Sequence, residues 1–156
     1  MELADTSAWT NREKSAETDE DFSSRLLADD IATCPIVVME LLWTTQEPGE
    51  FAEFRVDLLA LPQIAITSDV WERALDVWHE LAGLGRHRQA KIPDLLVAAA
   101  AEAAGVGICH YNADFDLIAS VTGQPVRAIA PLGSLSPKST SRRAVSPRDR
   151  GLGSSG

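Results

Sequence analysis

Residues 2–9 read Glu2-Leu3-Ala4-Asp5-Thr6-Ser7-Ala8-Trp9, and the reading of this stretch decides the fold. Leu3 and Ala4 can end a short buried strand. Asp5 then stands where the strand stops, and Thr6 and Ser7 begin a turn suited to capping a helix. In open α/β sheets, ligands gather at the carboxyl ends of the strands. An acid at that point is a candidate site residue, although Asp, Ser and Thr are also ordinary capping residues. Both readings of Asp5 stay open until the other acids are placed.

Working outward, Asn11 to Asp21 is polar and acid-rich and reads as a helix end and loop. A short amphipathic helix follows over residues 22–28, then a very short strand at Ile31-Ala32. Pro35 suits the first turn of a helix running through Ile36-Val37-Val38-Met39-Glu40-Leu41-Leu42-Trp43. Apolar residues surround Glu40, which predicts a helix buried all round and a carboxylate needing a partner, a cation or a raised pKa. A solvated Glu at the helix edge is the alternative. The next helix begins near Pro48 with Phe51, Phe54, Leu58, Leu59 and Leu61 in helical spacing, and Pro62 ends it. Ile64-Ala65-Ile66 reads as a short strand. Thr67 or Ser68 then caps a helix with Trp71, Ala74, Leu75, Trp78, Leu81 and Ala82 on one face, a stripe suited to core or dimer interface. Gly83 and Gly85 close it.

Arg86-His87-Arg88-Gln89-Ala90-Lys91 is the only concentrated basic run before the C-terminal tail. It is either a solvated loop or a phosphate contact beside an acidic site. Pro93 opens an apolar helix with Asp94 in its first turn, where the helix dipole alone accounts for an acid. Gly105 ends that helix. Val106 to His110 reads as a buried parallel strand, with Tyr111-Asn112-Ala113-Asp114-Phe115-Asp116 directly at its carboxyl end. Val126 to Ile129 is the last strand. Alternating strands and helices predict an α/β protein, a parallel sheet flanked by helices.

The chain has 156 residues and 45% hydrophobic content, enough for one domain with a sizeable core. No apolar run approaches a membrane span, and acids precede any apolar stretch at the N-terminus, so neither an anchor nor a signal peptide is expected. The expectation is a cytoplasmic protein. Cys34 and Cys109 lie far from each other and from any metal-ligand spacing, so they are expected as buried thiols. Residues 1–135 hold 22 acids against 9 Lys and Arg, a formal −13; residues 136–156 hold 1 acid against 5, a formal +4. An acidic body argues against broad electrostatic binding of nucleic acid and suits a carboxylate cluster that takes divalent cations. The Ser-, Pro-, Arg- and Gly-rich segment 134–156 is expected to be a disordered tail.

Four acids come from four segments. Asp5 and Asp114 follow strands, Asp94 starts a helix feeding one of those strands, and Glu40 sits in an apolar helix. They can share one cleft only if something offsets their repulsion, and Mg²⁺ or Mn²⁺ does that with oxygen ligands and retained waters. Leu3-Ala4-Asp5-Thr6-Ser7-Ala8-Trp9, Val38-Met39-Glu40-Leu41-Leu42, Ile92-Pro93-Asp94-Leu95-Leu96-Val97-Ala98-Ala99 and His110-Tyr111-Asn112-Ala113-Asp114-Phe115-Asp116-Leu117-Ile118-Ala119 resemble, in order and spacing, the PIN-domain ribonucleases. More narrowly, they resemble the VapC toxins of bacterial type II toxin–antitoxin pairs.

The resemblance covers about residues 1–133. It implies a three-layer α/β/α sandwich, Mg²⁺- or Mn²⁺-dependent endonucleolytic cleavage of RNA (often tRNA or rRNA), a homodimer, and inhibition by a cognate VapB-type antitoxin. By motif position it makes Asp5 and Asp94 the principal metal ligands. Glu40 and Asp114 complete the set, and Thr6 or Ser7 supports Asp5 or the metal-bound water. Arg86, Arg88 and Lys91 are the candidate RNA contacts. One departure is Asn112, where relatives often carry an acid. Its carbonyl can still accept a hydrogen bond or coordinate, but it brings no charge. A non-catalytic PIN-like module that occupies an antitoxin or another protein is the competing reading. A phosphotransferase with Asp5 as nucleophile is disfavoured, because no second Asp follows two residues later.

Overall fold

The computed structural model describes residues 1–136, so the expected tail lies outside the described residues except for its first three positions. The elements are β1 (Glu2–Ala4), α1 (Thr6–Asn11), α2 (Ala16–Leu27), β2 (Ile31–Ala32), α3 (Pro35–Trp43), α4 (Pro48–Ala60), α5 (Ser68–Gly83), α6 (Ile92–Ala104), β3 (Gly107–His110), α7 (Ala113–Thr122) and β4 (Val126–Ala128). Single 3-10 turns stand at Arg12–Lys14 and His87–Gln89. The strands form one parallel sheet in the order β2-β1-β3-β4. From β1 the chain moves outward to β2 and later returns to the other side of β1 for β3. The strand order therefore reverses between β1 and β3, the place where an α/β sheet opens a ligand crevice.

Strand alternation sorts the core into two layers. Leu3 and Ile108 point into a large cluster built with α3 to α7, whereas Ala4, Ile31 and Cys109 point to a smaller one with Ala8 of α1 and Phe22 of α2. Phe22 is 1% exposed, and burying such a ring stabilises the fold by about 1.5–3 kcal/mol. Trp9 meets it edge-on at 5.0 Å, and the Arg12 guanidinium lies over both rings. Helices thus cover both faces of the sheet, giving the expected α/β/α sandwich.

Several local expectations change. The acid-rich stretch after Asn11 is not loop beyond Ser15: that residue caps α2, and Glu17 and Asp19 occupy the first turn, where the helix dipole favours acids. Ile64-Ala65-Ile66 forms no strand, because a single bridge between Thr33 and Gln63 is all that pairs there. The helix buried on every side is α6, not α3. Asp94 through Ala101 are all buried, and four consecutive alanines let α6 pack closely between the sheet and α5. In α3, Met39 and Trp43 face outward at 70% and 89% exposure. On α5 the buried residues are Val70, Ala74, Val77 and Leu81, with Trp71 and Leu75 on the surface. Among the described residues no helix is long and apolar enough to cross a membrane. Both cysteines are free and buried.

Candidate active site

The site is built where β1 and β3 end. Asp5 continues β1, its N–H donating to the Cys109 carbonyl at 2.9 Å, which fixes it beside the end of β3. Its carboxylate is also the α1 cap: Oδ2 accepts from the Ser7 N–H at 2.9 Å and from the Ser7 hydroxyl at 2.6 Å. The capping reading of Asp5 therefore holds, and the cap also orients its carboxylate. Ser7 Oγ in turn accepts from the Tyr111 N–H at 2.9 Å, tying the turn after β1 to the turn after β3. Asp5 is 3% exposed.

Glu40 reaches the same place from α3. Its Oε1 accepts the Thr6 hydroxyl at 3.2 Å. The side chain is half-buried rather than enclosed. Its pKa is raised, first by burial and then by the Asp5 charge, while the Thr6 hydrogen bond and the Lys91 charge pull it down. Thr6 and Ser7 thus serve different acids, one on Glu40 and the other on Asp5.

Asp94 sits in the first turn of α6, 8% exposed. Burial, followed by the charge of Asp5 and by hydrogen bonding and charge at Asp114 and the charge of Glu40, pushes its carboxyl up to about 7. Asn112 spans the gap to α7: its Oδ1 accepts the Asp114 N–H at 3.0 Å, and its Nδ2 donates to Asp94 Oδ2 at 3.1 Å. The backbone donor at Asp114 fixes which end of the amide is which. The Asn112 carbonyl is therefore occupied as the α7 cap, and what it turns toward Asp94 is a donor.

The four acids thus feel one another, and their charges are not offset locally. Glu2 is half-buried too, but it is forked by Arg127 at 2.7 and 2.9 Å, which holds its carboxyl below the usual range. Glu102 is paired with Arg73 at 2.8 Å. Among the described residues no Lys, Arg or His lies within 4 Å of Asp5, Glu40, Asp94 or Asp114. Lys91, the residue before α6, is the cation that acts on Glu40 from farther away. Among the described residues no group of three or more His, Cys, Asp or Glu side chains is arranged to hold a metal ion as it stands. The donor type, all oxygen, is the kind a hard divalent cation takes together with its own waters.

Of the basic run, Lys91 acts on Glu40. Arg86 is engaged with Gln89 at 3.1 Å and Arg88 is exposed, in the 3-10 turn just ahead of α6. Sequence reasoning missed His110. It is fully buried at the end of β3, and its Nδ1 accepts the Asn112 N–H at 3.1 Å. Its signal was position alone, two residues before the cap of α7.

Fold and site together define an α/β/α protein with a cluster of carboxylates at the switch point of a parallel sheet. The PIN domain sequence profile matches residues 3–121. Ribonuclease VapC18 of Mycobacterium tuberculosis is 35% identical over 133 residues, 84% of this chain and 96% of the relative. Ribonuclease VapC51 of the same organism is 41% identical over 105 residues, 67% and 76% of the two chains. The chain belongs to the PIN-domain family, alongside the VapC ribonucleases. The fold is also similar to that of DNA-bound VapBC from Salmonella typhimurium, with a TM-score of 0.65 at 18% identity over 82% of this chain and 97% of that one. VapBC2 from Rickettsia felis, bound to a promoter DNA fragment, gives 0.63 at 18% identity over 81% and 96%. At that identity the likeness is one of fold.

Proposed function

We propose that this chain is a metal-dependent endoribonuclease, the toxin of a type II toxin–antitoxin pair. The observation that carries the reading is the convergence of Asp5, Glu40, Asp94 and Asp114 at the ends of β1 and β3, with hydroxyl and amide donors and, among the described residues, no ion-paired cation. The relatives named as VapC ribonucleases, one of them matched over 96% of its length, support the activity. Solved VapBC complexes of the same fold support a VapB-type antitoxin as partner.

Asp5, Asp94, Glu40 and Asp114 would hold Mg²⁺ or Mn²⁺, which when bound supplies Lewis-acid charge to a phosphodiester and lowers the pKa of water. The chain's own residues fix the geometry. Ser7 locks the Asp5 rotamer, Thr6 aims Glu40, and Asn112 holds Asp94 and caps the helix that carries Asp114. Arg86, Arg88 and Lys91 stand ahead of Asp94 and would receive RNA phosphates. The substrate class is structured cellular RNA, tRNA or rRNA. The protein works in the cytoplasm as a homodimer, with its nuclease domain spanning about residues 1–133 and residues 134–156 as an appendage. A weaker reading, a PIN-like module acting only through a protein partner, draws on the amide that Asn112 presents in place of a carboxylate.

The test is cleavage of total cellular RNA by purified protein with Mg²⁺, Mn²⁺ or EDTA, beside Asp5→Asn and Asp94→Asn. Discrete products should need metal and should fall by roughly 100-fold or more in either variant. A fully active variant would overturn the site. No cleavage by folded, antitoxin-free protein at any metal concentration would leave the binding module.

A further inference from the structure

His110 is a buried group that the proposed chemistry does not use. Its ring is fully enclosed and packs on Phe115 with centroids 5.3 Å apart. An amide N–H can only donate, so the bond from Asn112 N to Nδ1 at 3.1 Å requires Nδ1 to be unprotonated. The proton of the neutral ring then sits on Nε2. Nε2 has no hydrogen-bond partner, and Asp116 Oδ1, at 3.7 Å, lies too far away to be one. The one hydrogen bond the ring makes is directed at Asn112. That residue spends its side chain on both acids of the far wall, donating to Asp94 Oδ2 and accepting from Asp114 N.

We infer that His110 is a positioning residue: by holding the Asn112 backbone through Nδ1 it sets the amide that orients Asp94 and the cap that starts α7 beneath Asp114. The inference rests on the reading of these acids as a cation site, but the link from His110 to Asn112 does not. Without an acceptor at Nδ1 the turn between β3 and α7 is held only upstream, by Tyr111 N–H on Ser7 Oγ, and Asn112 can rotate away from Asp94. Groups behind a metal's ligands commonly change its affinity by about 10- to 100-fold.

The experiment compares the full chain with His110→Asn and His110→Phe. The Asn side-chain oxygen is bonded to Cγ, as Nδ1 is, so it can accept the same amide; Phe keeps the ring and removes the acceptor. Two readouts are taken: hydrogen exchange of the Asn112 and Asp114 amides without divalent ions, and Mn²⁺ affinity of the RNA-free protein by titration. His110→Phe should speed Asn112 exchange by roughly 10-fold or more and weaken Mn²⁺ by about 10- to 100-fold, while His110→Asn should restore both to near the wild-type values. If His110→Phe does not fold, His110→Gln replaces it, because its amide lies one bond farther out and should not reach Asn112 N. Unchanged exchange and affinity in the acceptor-free variant would overturn the inference, as would a His110→Asn protein as impaired as His110→Phe. Wild-type protein that binds no Mn²⁺ would sink the cation site instead, and the exchange data alone would then decide the role of His110.

Discussion

At the scale of single residues, the site stores unfavourable charge that a cation would relieve. Asp94 makes this measurable. Its carboxyl titrates at about 7 in the fold, against the usual 3.8. Between those values the folded chain holds a proton that the unfolded chain has released, so stability falls as pH rises from about 4 through about 7. Asp94→Asn removes the effect. At pH 8 in EDTA the variant should be more stable than the wild type by on the order of 2 kcal/mol, and near pH 4 the two should match in thermal denaturation. Mn²⁺ added at pH 8 should raise the Tm of the wild type only. Coinciding pH profiles would show that Asp94 carries no such charge. Asn112→Asp is the converse change: it sets a fifth carboxylate 3.1 Å from Asp94 where a donor now stands. It should lower the metal-free Tm at pH 8 and tighten Mn²⁺ binding, both read in the same titration.

At the scale of elements, the exposed apolar residues form a surface that the monomer leaves uncovered. Trp71 and Leu75 of α5 and Ile92 of α6 are 50%, 59% and 54% exposed and, with Trp78, Leu95 and Leu96, line a groove of about 140 Å³. An apolar patch of this kind marks an interaction surface, and it is the face the proposed homodimer would use. Leu75→Asp should shift the protein to monomer in light scattering while leaving its circular dichroism unchanged; a dimer that survives would place the interface elsewhere. The same helices show how much of the fold the sequence disclosed. Many helix ends followed from short local signals: Pro35, Pro48 and Pro93 at helix starts, Thr67 at a cap, and Gly105 in the left-handed region at the end of α6; the start of α2 at Ala16 and the missing strand at Ile64-Ala65-Ile66 did not. Which face a helix buries did not follow. Leu41 and Trp43 are both large side chains on an apolar helix, and only the tertiary position of α3 decides that one is buried and the other 89% exposed. In the site, the acids were legible as a set because each interrupts an apolar run or follows a strand. Support from Thr6 or Ser7 was legible, but Thr6 on Glu40, Ser7 on Tyr111 and Asn112 on Asp94 were not, because those partners lie 34, 104 and 18 residues away, and the part of His110 depends on a ring orientation.

At the scale of the whole molecule, a body with 22 acids and 9 Lys and Arg through residue 135 must bind a polyanion against its own field. Any RNA affinity must then come from a few local cations, and its salt dependence counts them. With Arg86, Arg88 and Lys91 in contact with phosphates, replacing all three by Ala should weaken RNA binding and reduce the slope of log K against log salt by about 2 for a single strand. An unchanged slope would make the turn a solvated surface. The tail tests the opposite possibility, that the 5 Lys and Arg after residue 135 do this work. Its last described tie to the body is the Leu135 N–H on the Tyr111 hydroxyl at 2.9 Å. A chain ended after Leu135 keeps that bond, both core clusters and all four acids. It should therefore retain the Tm and the metal-dependent cleavage of the full chain. Loss of folding would show that the tail is part of the domain, and loss of RNA affinity with folding intact would move the phosphate contacts from the turn before α6 to the tail.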